Sequence, residues 1–136
     1  MVKKFALIFG IVYAGAGILG FIPGLVTPAE STGMAGMMDS SHGRLFGLFP
    51  VNLWHNVFHI VVGLWGIFAA RDFGAAVSYA RINTVLFAVL TVFGLIPAAN
   101  TFFGIMPLYS HDVWLHGLTT AAMAYFGFVA PARVET

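Results

Sequence analysis

The chain contains no cysteine, which removes disulfides, thiol nucleophiles and thiolate metal ligands from consideration. Charge is nearly as scarce: six basic and five acidic residues amount to 8% of 136 positions, against about a quarter in a soluble domain. The net charge of +1 and the lack of any basic face argue against nucleic acid as a partner. Phosphate loops, nucleophile elbows and His-Glu zinc-protease motifs are missing as well. Period-two alternation is absent, which disfavours a lipid-facing β-barrel.

Apolar sequence fills the space. Hydrophobic residues make up 60% of the chain, and the mean hydropathy is +0.92. A water-soluble domain of this composition would expose large apolar patches, whereas a bilayer solvates them. Four stretches approach the roughly 20 residues that a helix needs to cross the hydrocarbon core. They run from Phe5 to Ile22, Val51 to Ala70, about Ile82 to Ala99, and about Val113 to Ala132. The expected fold is therefore all-α, a bundle of four transmembrane helices in one integral membrane domain over residues 1–136. Lys3, Lys4, Arg71, Arg81 and Arg133 fall on one side of this arrangement and only Arg44 on the other. The positive-inside rule then predicts a bacterial inner-membrane protein with both termini cytoplasmic. Trp54, Tyr109 and Trp114 fall near the outer boundary, where amphipathic rings are favoured.

The chain also reads as a tandem duplication. Phe46-Gly47, Pro50, His55 and His59 recur as Phe103-Gly104, Pro107, Asp112 and His116 at an offset of 57. Ala6, Ala14 and Gly20-Phe21-Ile22-Pro23 recur as Ala80, Ala88 and Gly94-Leu95-Ile96-Pro97 at an offset of 74. Repeat 1 covers about 5–70 and repeat 2 about 79–132, each a helical hairpin. A two-helix unit returns to its starting side, so the hairpins are expected to be parallel repeats about a pseudo-twofold axis along the membrane normal. The two lysines ahead of the first apolar run resemble a signal peptide. The internal partner of that run argues for a retained helix instead.

The polar residues inside the repeat carry the candidate chemistry. His55 and His59 are four apart, as are Asp112 and His116, so each pair lies on one helix stripe. The pseudo-twofold axis would bring the stripes together, giving three imidazoles and one carboxylate at one depth. Intramembrane ionisable groups are costly and usually face a bundle interior. Three nitrogen donors and one oxygen donor suit zinc first, with iron or copper also compatible. Haem, with His59 and His116 as axial ligands, ranks behind the bare ion. The plainer alternative is a hydrogen-bonded network, with Asp112 stabilising its helix dipole and an Asp–His contact joining helices.

Other polar residues rank lower. His111 points about 100° from Asp112 on the helix. Asn52 and Ser110 suit N-cap positions. Asn56, Asn83 and Asn100 read as boundary or inter-helix groups. Met34, Met37, Met38 and His42 resemble a soft copper-attracting cluster. Gly10, Gly15, Gly17, Gly20, Gly63 and Gly66 permit close backbone approach, with Gly63 expected to leave space beside the site.

The stretch from Pro50 through His55, Asn56 and His59 to Gly63, followed by Asp112-Val113-Trp114-Leu115-His116, resembles a bacterial four-helix integral membrane family. That family is catalogued as a domain of unknown function and is found in actinobacteria and cyanobacteria. The resemblance implies the four-helix fold and points to those paired positions, and it implies no activity. The residues therefore leave three roles in play. One is a structural or accessory metal site, either in a homo-oligomer or in a larger respiratory or photosynthetic assembly. The others are a membrane metalloenzyme acting at the outer interface and a haem- or pigment-binding accessory subunit. Reporter fusions in the Pro23–Pro50 segment and between Arg71 and Arg81 are expected to report opposite sides of the membrane; the same side for both would overturn the topology.

Overall fold

The computed structural model describes residues 1–28 and 43–130. Among them are four α-helices: α1 (Val2–Leu19), α2 (Leu53–Ala69), α3 (Phe73–Leu95) and α4 (His111–Ala124). A π-helical turn, Tyr125–Val129, continues α4, and a short 3-10 turn, Pro23–Leu25, follows α1. α1 and α3 are long and apolar enough to cross a membrane, while α2 is a shorter apolar helix of 17 residues. The Met34, Met37, Met38 and His42 cluster and Arg133 lie outside the described residues.

α1 packs along α2, and α3 along α4. The first contact depends on small residues. A Cβ at Gly10 would collide with the backbone of Gly63 and Ile67, and one at Gly63 with the backbone of Ala14. Gly17 similarly meets Asn56 and Ile60, whereas Gly15 faces open space. Gly63 therefore does not leave room beside the site as expected: α1 fills it. Gly94 plays the corresponding part in the second pair, against Leu108 and Val113. The core includes Ala6, Tyr13, Val62, Tyr79, Ala80, Phe87, Leu90 and Met123, while Ile8, Val61, Val85 and Leu118 point outward.

The helix boundaries that depart furthest from the sequence reading are those of α3 and the end of α4. α3 begins at Phe73 rather than Ile82, because the Asp72 carboxylate accepts the Ala75 amide at 2.8 Å and caps the helix. The short loop expected between Arg71 and Arg81 is therefore mostly helix, with only Ala70, Arg71 and Asp72 between α2 and α3. Arg81 lies inside α3 and donates from Nε to the Gly127 carbonyl at 2.8 Å, its guanidinium over the Phe128 ring. A long arginine stem allows this, carrying the charge along the apolar surface to the helix end. α3 stops at Leu95 because Ile96 precedes Pro97 and takes an extended conformation. α4 ends short of Ala132, its π-helical turn closing at Ala130 with the Ala130 amide bonded to the Tyr125 carbonyl.

A small sheet was not expected. β1 (Val26–Pro28), β2 (Gly43–Leu45) and β3 (Phe49–Val51) form an antiparallel sheet in that order, with Val26 opposite Leu45 and Leu45 opposite Phe49. The β2–β3 turn places Phe46 at φ 53° and Gly47 at φ 72°, with the Leu48 amide bonded to the Leu45 carbonyl. Two successive left-handed residues are what a tight hairpin requires. The turn between α3 and α4 repeats this at Phe103 (φ 57°) and Gly104 (φ 83°), closed from the Ile105 amide to the Phe102 carbonyl.

Because a side chain at position 63 must displace backbone, Gly63→Val is expected to lower stability by about 1–3 kcal/mol or more. Gly15→Ala, facing open space, is expected to be neutral or stabilising. Thermal unfolding followed by circular dichroism distinguishes the two, and equal losses would overturn the close-approach account.

Candidate metal centre

Asn52 sets the start of α2. Its Oδ1 accepts the His55 amide at 2.8 Å and its Nδ2 donates to the Ile105 carbonyl at 2.8 Å, so the N-cap residue also ties α2 to the α3–α4 connection. His55 and His59 follow on one face of α2 and are both buried. Asp112 and His116 occupy the corresponding face of α4 and are also buried. Ser110 takes the N-cap position of α4 at φ 65° but makes no side-chain cap; its hydroxyl lies 3.4 Å from Nη1 of Arg44.

Three imidazoles meet. The Nε2 atoms of His55 and His59 are 3.1 Å apart. Ligand nitrogens of His55, His59 and His116 all lie within 4.8 Å of one another. Neither nitrogen of His116 has a hydrogen-bond partner, although the residue is fully buried. Asp112 is placed differently from the three. Its Oδ2 lies 3.6 Å from Nδ1 of His55, on the opposite edge of that ring from Nε2. Both atoms lack a hydrogen-bond partner, and 3.6 Å is outside hydrogen-bond range. The carboxylate thus stands on the Nδ1 side of a histidine, the side from which an acidic group orients a metal-ligating imidazole, but beyond the distance of that hydrogen bond.

The spacing can be tested against coordination geometry. Zinc–nitrogen bonds of about 2.0–2.1 Å at tetrahedral angles separate ligand nitrogens by about 3.3 Å. The His55–His59 separation of 3.1 Å is close to that value, and the three ligand nitrogens lie within 4.8 Å of one another. A buried imidazole with both nitrogens unbonded is costly, and an ion would relieve the part of that cost that falls on the ligating nitrogen of His116. The donor set therefore fits a transition metal.

Aromatic rings enclose the cluster. Tyr13 packs edge-on to His59 with centroids 4.9 Å apart, and Phe87 lies 5.4 Å from His116. The Tyr13 hydroxyl shares a 2.8 Å hydrogen bond with the Thr119 hydroxyl, linking α1 to α4 beside the imidazoles. Sequence reasoning missed this pair. Its signal was Thr119 at three positions from His116, on the same helix face. The secondary polar residues are placed individually. His111 is exposed and accepts the Trp114 indole N–H at Nδ1, 2.9 Å. Asn83 is buried within α3 and donates to the Tyr79 carbonyl of its own helix. The Asn100 carbonyl accepts the Leu108 amide.

Fold and site together define a mostly helical protein, apolar on its outer surface, with a buried histidine cluster between two of its helices. The chain belongs to the family described as Domain of unknown function (DUF4383), which it matches over residues 3–129. No curated protein and no solved structure matches it.

The Tyr13–Thr119 bond is expected to show a coupling of about 0.6 kcal/mol, and at most about 1.7, in a cycle of Tyr13→Phe and Thr119→Val, as inter-helix bonds in apolar surroundings do. Strictly additive losses would mean that the two hydroxyls act independently.

Proposed function

We propose that this protein is a four-helix integral membrane protein of the bacterial cell membrane that binds one transition metal, zinc by preference, on His55, His59 and His116. Asp112 stands on the Nδ1 side of His55, 3.6 Å away. The observation carrying this reading is the convergence of three buried imidazoles, with their ligand nitrogens within 4.8 Å and both His116 nitrogens unbonded. Two ligands from α2 and one from α4 would let the ion pin the first helical hairpin to the second. That is a structural role, or an accessory one within a homo-oligomer or a larger membrane assembly.

Four spans are supported by the apolar exterior of the helices and by the extension of α4 through its π-helical turn. A cytoplasmic placement of both termini is supported by Lys3, Lys4, Arg71 and Arg81 at one end of the helices. Arg44, beside Ser110, stands at the other end. Duplication about a pseudo-twofold axis is supported by the matched left-handed turns at Phe46-Gly47 and Phe103-Gly104. It is supported again by the contacts of Gly20 with Asn56 and of Gly94 with Val113, which keep the offsets of 74 and 57.

A second reading, a metalloenzyme, is favoured by the count of three imidazoles, which leaves a fourth coordination position open as catalytic zinc sites do. The aromatic enclosure by Tyr13 and Phe87 weighs toward the structural role. Haem on His59 and His116 fits less well, because the His55 ring, with centroids 4.4 Å from His59 and 6.1 Å from His116, and the rings of Tyr13 and Phe87 pack against those two histidines where a macrocycle would need room.

Elemental analysis of the purified protein is expected to find one zinc per chain, lost in a His59→Ala/His116→Ala variant. Metal-free wild type that gains no stability on zinc addition would overturn the reading. At free zinc 100-fold above Kd, the gain is about 2.7 kcal/mol. Affinity should fall as pH drops, because protons compete for the imidazoles. In cobalt-loaded protein, a visible spectrum shifted by azide would favour the enzyme, and an unshifted one the structural site.

A further inference from the structure

Arg81 is a charged residue in an apolar stretch. It lies eight residues inside α3, about 12 Å along the axis from the helix start at Phe73. Ile82 and Val85, beside it in the helix, are exposed. A charge at that depth is costly unless it is partnered. Its Nε donates to the Gly127 carbonyl at 2.8 Å, which satisfies one orphan carbonyl at the end of α4. Gly127 permits the approach, since a Cβ there would stand 3.1 Å from the Arg81 amide nitrogen and from its Cγ. The guanidinium lies 5.3 Å from the centroid of the Phe128 ring, and Phe128 and Val129 are exposed.

The bond to Gly127 uses only one edge of the guanidinium. Among the described residues Arg81 makes no salt bridge and no second side-chain hydrogen bond, so both Nη groups keep their donors. The one described carboxylate at this end, Asp72, is spent on the Ala75 amide. Further positive charge stands nearby. Phe5 of α1 stacks on Phe126 with centroids 4.2 Å apart, which sets the first turn of α1 against the last turn of α4. Lys3 and Lys4 in that turn are exposed and also lack a carboxylate partner among the described residues.

We infer that Arg81, Lys3 and Lys4 form a binding site for an anionic phospholipid, with its phosphate on the free edge of the Arg81 guanidinium. A guanidinium fork matches phosphate oxygens in pairs. A negative head group follows from three cations with no carboxylate beside them to receive a choline or ethanolamine ammonium. A lipid rather than a free anion follows from Ile82, Val85, Phe128 and Val129, which offer acyl chains an apolar surface beside the guanidinium. Arg71 stands apart, its guanidinium 4.9 Å from the Phe68 ring at the end of α2. The inference rests on the membrane placement proposed above and is independent of the metal.

The test is native mass spectrometry of the full-length protein in detergent, titrated with phosphatidylglycerol or, separately, phosphatidylcholine. Phosphatidylglycerol is expected to bind the more tightly by about fivefold or more, the worth of a single basic residue at a membrane surface. Arg81→Gln should weaken its binding about fivefold and Lys3→Gln/Lys4→Gln about 25-fold, while Arg71→Gln leaves it unchanged. Inorganic phosphate at matched ionic strength should not displace the lipid. Equal affinity for the two lipids would overturn the site, and so would displacement by inorganic phosphate. Equal losses in Arg71→Gln and Arg81→Gln would also overturn it, because a diffuse surface field would then account for the binding. Circular dichroism checks the fold of each variant. If Arg81→Gln fails to fold, the exposed lysine pair and the wild-type preference between lipids still decide. Failure of the membrane placement itself shows separately, as protein that stays soluble without detergent.

Discussion

Because Gly10 and Gly63 present no side chains to each other, α1 and α2 approach until backbone meets backbone, with Ala14 closing the gap. Most other features follow from that distance. It brings Tyr13 onto His59 and lets its hydroxyl reach Thr119 on α4. A bulkier residue at either glycine would separate the helices and remove the walls around the imidazoles.

Within this frame the polar interior is economical. Many buried polar groups are satisfied by neighbouring backbone: Asn83 bonds the Tyr79 carbonyl, Tyr79 the Val62 carbonyl, and Thr84, Thr91 and Thr120 the carbonyls four residues back. The unbonded atoms are Nδ1 of His55, both nitrogens of His116 and Oδ2 of Asp112 in the cluster, and the Oδ1 atoms of Asn56 and Asn83. Folding normally eliminates such groups. Their concentration at the histidine cluster is why that place, rather than the pair at Arg44 and Ser110, carries the functional reading.

The matched turns add a second constraint. Phe46-Gly47 and Phe103-Gly104 both adopt left-handed backbone, and each leads through a buried proline, Pro50 or Pro107, into the helix that bears a site pair. Asn52 then joins the two connections by its bond to Ile105. The entries to α2 and α4 are thereby held relative to each other, and so are the side chains one turn further on.

Much of this was legible in the sequence, because burial and helical period leave direct marks on residue order. Apolar runs and scarce charge indicated helices with apolar exteriors, and four-residue spacing placed His55 with His59 and Asp112 with His116. Asn52 announced its cap, and the glycines of α1 announced close packing. Other features depended on contacts between distant segments. Arg81 read as a boundary because it is charged, but its long stem reaches Gly127 from inside α3. Gly63 read as empty space, but α1 occupies it. Asp112 and the three histidines looked equivalent by spacing, yet the orientation of the His55 ring decides which edge each neighbour meets. His59 of the same helix meets Nε2 and Asp112 of α4 stands near Nδ1, because ring orientation is set by what packs around it, and residue order along one helix does not encode that.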